Sequence, residues 1–154
     1  MMRFASLLIV LAALVPLQAA DPTTPIHWSA ETTKELIAEA ASKVNKQTGM
    51  SPQRFMDSAF MMYREKSSGA EAHTGSADFI IVNDGTGTIV IGGRIVNGKL
   101  DRPGEIRGDS IEGGTPYTVR AGDTLYVPKN APHQFQVAPG QHMVYTVVKV
   151  TPVE

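Results

Sequence analysis

Two hydrophobic periods divide the chain: apolar side chains recur at helical spacing from residue 29 to residue 47, and short apolar runs alternate with polar turns from residue 55 onward. Leu36, Ile37, Ala40, Ala41 and Val44 fall on one stripe, which predicts a helix over Ser29–Gln47. Ser29 or Thr32 can cap its start, and Thr32 with Glu35 fits a capping box. Lys43 and Lys46 suit its last turn, and Gly49 can close it. The stripe needs a partner, either the outside of a sheet or a second subunit. Strands are expected at Phe55–Glu65, Asp78–Val82, Thr88–Ile91, Arg94–Val96, Tyr117–Val119, Thr124–Val127, His133–Val137 and His142–Val150. Asp84-Gly85 and Asn97-Gly98 carry hairpin-turn chemistry. The polar, Gly-rich segment Lys99–Thr115 is expected as a long loop or a short strand pair at one mouth of the sheet structure. Strands this closely spaced, without helical patterns between them, predict an all-β sandwich or barrel.

The N-terminus has a different pattern. Met1-Met2-Arg3 gives a short basic region, Phe4–Val15 is almost wholly apolar, and Pro16–Ala20 ends in small residues. This order predicts a secretory signal peptide over residues 1–20, and hence a periplasmic or secreted protein. The apolar run is short for a membrane-spanning helix, so no stable membrane anchor is expected after cleavage. Residues 21–28 read as a linker, 29–49 as the helix with its cap, and 52–152 as one β domain.

Composition narrows the function classes. The chain has 154 residues, 42% of them apolar and 19% charged, with 14 Gly and 10 Pro. That suits one turn-rich globular domain. The formal net charge is −1 with no block of like charge, so no nucleic-acid partner is expected. The absence of cysteine excludes disulfides, a thiolate nucleophile and a Cys-based zinc site. No Ser-His-Asp order, phosphate loop or zinc-protease motif is present.

The candidate chemistry lies in two segments. Glu71 and His73 stand two apart, so on a strand they share a face. Asp78 opens the next strand in phase with Ile80 and Val82, and a tight turn would bring the three polar groups together. His133 follows a Pro-bounded turn and starts a strand, with Phe135 in phase and expected to line the pocket. Tyr63, Arg64, Arg94 and Tyr126 are candidates for orienting a substrate, Tyr63 and Tyr126 being placed with Phe135 in the pocket. His27 and His142 read as surface residues, and Met50, Met56, Met61 and Met62 as core filler.

These two segments resemble the paired motifs of the cupin superfamily. The first motif reads Gly, five residues, His-x-His, three or four residues, Glu, six residues, Gly. Here Glu71 stands at the first His, His73 at the second, Asp78 at the Glu and Gly85 at the closing Gly, while Glu65 replaces the opening Gly. The second motif reads Gly, five residues, Pro-x-Gly, two residues, His, three residues, Asn. Gly122, Pro128 and His133 match it; Asn130 replaces Gly and Val137 replaces the final Asn. Asn tolerates a left-handed backbone best among non-glycine residues, so that exchange is mild.

The resemblance spans roughly Phe55 to Val150 and implies an all-β, single cupin-type double-stranded β-helix (jelly-roll) barrel with one N-terminal α-helix. It also implies a divalent metal ion (Mn, Fe, Zn or Ni) held by Glu71, His73, Asp78 and His133. Two carboxylates would neutralise the ion, where the family pattern of three His and one Glu leaves a net charge. A triad of His73, His133 and one acid would suit non-haem iron chemistry. A metal-dependent oxygenase or isomerase acting on a small polar molecule is one expectation; a non-catalytic small-ligand-binding protein outside the cytoplasm is the other. A lipocalin-like barrel for apolar ligands is disfavoured, because it would bury Glu71, His73 and His133 unpaired. A homodimer is a further expectation, since single-domain cupins often pair through their sheets.

Overall fold

A computed structural model describes residues 25 and 27–151. The expected signal peptide and nearly all of the expected linker lie outside the described residues. The one helix among the described residues, α1 (Ala30–Ser42), is capped by Ser29, whose hydroxyl accepts from the Thr32 N–H. It stops five residues short of the expected end. Asn45 ends it: its side chain accepts from the N–H groups of Gln47 and Thr48, and its backbone bridges Met50. Lys43 and Lys46 therefore fall beyond the last turn.

Twelve strands follow: β1 (Met50–Met56), β2 (Ala59–Arg64), β3 (Ala70–His73), β4 (Ala77–Ile91), β5 (Arg94–Val96), β6 (Lys99–Arg102), β7 (Glu105–Gly108), β8 (Ser110–Glu112), β9 (Thr115–Arg120), β10 (Thr124–Val127), β11 (His133–Gln136) and β12 (Met143–Val150). One curled sheet runs β1-β2-β12-β4-β10, and the other runs β6-β7-β3-β11-β4-β9. All pairings are antiparallel, and β5 with β8 forms a separate small pair. The fifteen-residue β4 belongs to both large sheets and joins them.

Four expectations are corrected. The segment Phe55–Glu65 is not one strand but the end of β1, a turn between Met56 and Ala59, and β2 paired back on β1. No Gly or Pro marks that turn, and Pro52 is accommodated because β1 is an edge strand with a pairing partner on one side only. Asp84-Gly85 is not a hairpin either. It is a bulge in β4, where the register against β12 skips Asn83 as the strand crosses between sheets. Gly85 has φ +73°, and a Cβ there would lie 2.1 Å from the His142 carbonyl oxygen, so the corner requires glycine. Asn97-Gly98 does turn the chain, with Asn97 at φ +52°, but its flanking strands pair elsewhere. Finally, the segment Lys99–Thr115 holds three strands, of which β6 and β7 form a hairpin on the second sheet.

The sheets enclose an apolar core at one end, built on Ile80, Val82, Ile89, Phe135, Tyr145 and Val147. Burying each large apolar side chain contributes about 1.5–3 kcal/mol. The helix covers the outside of β2 and β12: Ala40 and Val44 pack on Met61, Tyr63 and Val144. Alternation along β2 thus sends Met61 and Tyr63 outward to the helix and Met62 and Arg64 inward.

Candidate metal centre

Beside the apolar core the enclosure becomes polar, and strand register builds this region row by row. Across β3 and β7, Glu71 faces Arg107 and His73 faces Glu105. Across β11 and β3, His133 faces Glu71. On the opposite sheet Asp78 of β4 faces Lys149 of β12. The Pro-bounded turn before His133 is tied to this row: Asn130 adopts φ +67° and donates its N–H to the His73 carbonyl at 2.8 Å. Asn at the motif's Gly position thus adopts the left-handed conformation that Gly would supply.

Glu71, His73 and His133 each present one ligand atom, all within 4.8 Å of one another. Both imidazoles are oriented through Nδ1. His133 Nδ1 donates to the Ala131 carbonyl at 3.1 Å, and His73 Nδ1 donates to Glu105 Oε1 at 2.9 Å. Each ring therefore turns Nε2 inward. His73 Nε2 lies 3.3 Å from Asp78 Oδ2; His133 Nε2 lies 3.6 Å from the same atom and 3.5 Å from Glu71 Oε1. A neutral imidazole whose Nδ1 bears the proton offers only a lone pair at Nε2. Lone pairs facing carboxylate oxygens in a buried site require a cation or a proton between them. His133 Nε2 is buried without a hydrogen-bond partner. Two imidazoles with acceptor-held Nδ1 groups, converging with a carboxylate, could hold a metal ion. The mixed nitrogen and oxygen donor set suits divalent Mn, Fe, Zn or Ni.

Charge shifts follow from this packing. Burial alone would raise the Glu71 pKa, but the close approach of the His133 imidazole, with Arg107 and His73, outweighs it and holds the carboxyl at about 2. Arg107 Nη2 sits 3.0 Å from Glu71 Oε2. For Asp78 burial is likewise overcome, here by hydrogen bonds from His73 and Lys149, and its pKa is lowered. Lys149 Nζ is 2.7 Å from Asp78 Oδ1, so one oxygen faces the imidazoles and the other a cation. Burial lowers the His73 pKa, but the Asp78 hydrogen bond and charge more than offset it, and the net shift is upward. Tyr145, fully enclosed, is raised to about 12 by burial.

A cavity of about 350 Å³ opens onto these groups, with Phe60, Met62, Phe135 and Val147 on its apolar wall. Phe135 is among its lining residues. Tyr63 and Tyr126 are not. Tyr63 faces the helix and stacks on His142 at 5.2 Å, because it lies one residue out of phase with the inward row of β2. Tyr126 points to solvent, 54% exposed. Arg94 pairs with Glu112 at the surface. A more open groove of about 430 Å³, lined by residues such as Thr86, Thr88, Gln134 and Gln136, has no His, Asp or Glu among its lining residues.

Three residues beside the site went unread in the sequence, Glu105, Arg107 and Lys149, whereas Arg64, a candidate there for orienting a substrate, does line the cavity. Glu105 and Arg107 stand two apart, the same signal that linked Glu71 to His73, but the segment around them read as loop. Lys149 continues the inward row of Tyr145 and Val147, and Arg64 that of Phe60 and Met62.

No protein-family model matches the chain, and no curated protein is similar to it. Similar solved structures exist. CapF, solved with the inhibitor 3-isopropenyl-tropolone, matches with a TM-score of 0.51 and 14% identity over 71% of this chain and 30% of that one. The polyketide cyclase RemF from Streptomyces resistomycificus matches at TM-score 0.48 and 18% identity, over 69% of this chain and 70% of that one. The cupin domain of Drosophila melanogaster CENP-C matches at TM-score 0.48 and 10% identity, over 66% of this chain and 69% of that one. At these identities the likeness concerns fold. Among the described residues the chain is all-β with one N-terminal helix, and its fold is of the cupin type.

Proposed function

We propose that the protein is an exported, metal-dependent enzyme, an oxygenase or isomerase, that takes a small polar molecule into the cavity beside Glu71, His73 and His133. The observation that carries this reading is the pair of inward Nε2 atoms facing carboxylate oxygens, each ring held by an acceptor at Nδ1. A divalent ion on Glu71, His73 and His133 would supply Lewis-acid polarisation of a bound oxygen. The chain's own residues prepare the site for it. Glu105 and the Ala131 carbonyl fix the two rings, Arg107 keeps Glu71 ionised, and Lys149 holds Asp78 as a carboxylate at the cavity edge. Phe135 and Val147 exclude water from one side. Export rests on the leader-like order of residues 1–20.

Elemental analysis of the purified protein beside His73→Ala and His133→Ala tests the proposal. One divalent ion per chain, lost in both variants, is the expected result; a metal-free protein whose melting temperature ignores added Mn²⁺, Fe²⁺, Zn²⁺ and Ni²⁺ contradicts it. The second reading, ligand capture without turnover, draws on the pairing of Glu71, Asp78 and Glu105 with cationic or imidazole groups, which leaves no carboxylate uncommitted as a base.

A further inference from the structure

Arg64 is 5% exposed, yet no carboxylate pairs with it among the described residues. Its guanidinium donates to the Tyr145 hydroxyl at 3.1 Å and the Lys66 carbonyl at 3.3 Å, and lies 5.4 Å above the Phe135 ring. All these partners are neutral. A buried cation with only neutral partners retains a desolvation cost that an anion would offset. Arg64 also lines the cavity, so an anion can reach it there.

The rest of the cavity carries the same bias. Arg54, Arg64, Arg102, Arg107 and Lys149 line it, against the carboxylates of Glu71, Asp78 and Glu105. The cations outnumber the acids, and a divalent ion would widen the excess. Charge neutrality at the ion, expected from two carboxylates, is thus undone by neighbours from β1, β2, β6, β7 and β12. On the same strands as Arg54, Arg64 and Lys149 stands an apolar wall of Met50, Pro52, Phe60, Met62 and Val147. About 150 Å³ suffices for a benzene ring, so a cavity of this size has room for a ring-sized body as well as a charged group.

We propose that the molecule taken into this cavity is a small carboxylate bearing an apolar body, its anion drawn to Arg64 and the surrounding cations and its body laid on the Phe60–Met62–Val147 wall. The proposal rests on the reading of this cavity as the substrate site, but not on the metal. Isothermal titration of the protein, metal-free and manganese-loaded, with 3-phenylpropanoate, 3-phenylpropanamide and acetate tests it. The expected result is that 3-phenylpropanoate binds at least about tenfold more tightly than either other probe. Arg64→Gln should abolish that preference for the acid over the amide. Because Arg64 is buried, the exposed rim variant Arg102→Gln is titrated beside it, and should weaken the acid about threefold while leaving the amide unchanged. Equal binding of acid and amide, equal binding of acetate and 3-phenylpropanoate, or no binding of any probe at millimolar concentration overturns the proposal. Binding of 3-phenylpropanoate by a protein that takes up none of Mn²⁺, Fe²⁺, Zn²⁺ or Ni²⁺ overturns the metal centre and supports this inference.

Discussion

His73 donates through Nδ1 to Glu105 Oε1 at 2.9 Å, and this bond turns its other ring nitrogen toward Asp78 and His133. Glu105 is thus a positioning residue: it touches the ligand-bearing ring without being one of the three converging ligand groups. Outer partners of this kind are worth about 10–100-fold in metal affinity. Glu105→Ala should therefore lower affinity for Mn²⁺ or Zn²⁺ by that order while far-ultraviolet circular dichroism stays unchanged. Unaltered affinity in a folded variant would show that the bond does not position the ring.

Acidity should act on the metal and on the fold with different signs. Metal binding needs His73 Nε2 unprotonated, and its pKa is raised above the usual 6.5. Metal affinity should therefore begin to fall while the pH is still above 6.5. In the metal-free protein the protonated His73 is stabilising below 6.5, and that contribution is lost as pH rises through its raised value. Glu71 works the other way: its contribution is present above 4.5 and is lost as pH falls toward 2. Thermal melts of metal-free protein should show an interior maximum in stability between those limits. A melting temperature flat from pH 3 to pH 9 would speak against the ion-pair network.

Much of this was legible in the sequence, for identifiable reasons. Glu71, His73 and His133 could be placed together because period-two alternation and a Pro-bounded turn fix the direction of side chains locally. Phe135 followed from the same phase. The β1–β2 hairpin was not legible, because its turn at Asp57-Ser58 is a short polar pair between apolar runs and carries no glycine or proline. Asp84-Gly85 misled for the opposite reason: its chemistry serves any positive-φ corner, and here tertiary pairing with both sheets made it a bulge. Glu105, Arg107 and Lys149 reach the site through register between strands far apart in sequence, which no local pattern specifies.

The bulge makes a stability prediction of its own. Gly85→Val combines φ +73° with a Cβ 2.1 Å from a backbone oxygen, and should cost at least about 2–4 kcal/mol. Gly92→Ala, at φ +82° with nothing within 4 Å of the added Cβ, should cost only about 1 kcal/mol. Urea unfolding of the two variants measures the difference; equal losses would mean that the close approach to His142 does not constrain the corner.

The Asp78–Lys149 pair separates ligand from bystander. If Asp78 belongs with Lys149 rather than with the ion, Asp78→Asn should keep metal stoichiometry and lower affinity modestly, by less than about tenfold, whereas Glu71→Gln should lower it far more. Titration calorimetry with Mn²⁺ distinguishes the two. Loss of stoichiometry in Asp78→Asn would make Asp78 a fourth ligand.

Crystals of the protein grown with Mn²⁺ or Zn²⁺ and measured at the metal's absorption edge give the most direct test. The expected result is one anomalous peak at about 2.0–2.2 Å from His73 Nε2, His133 Nε2 and a Glu71 carboxylate oxygen. Ordered crystals that bind the ion elsewhere, or hold none between those three side chains, would contradict the metal centre.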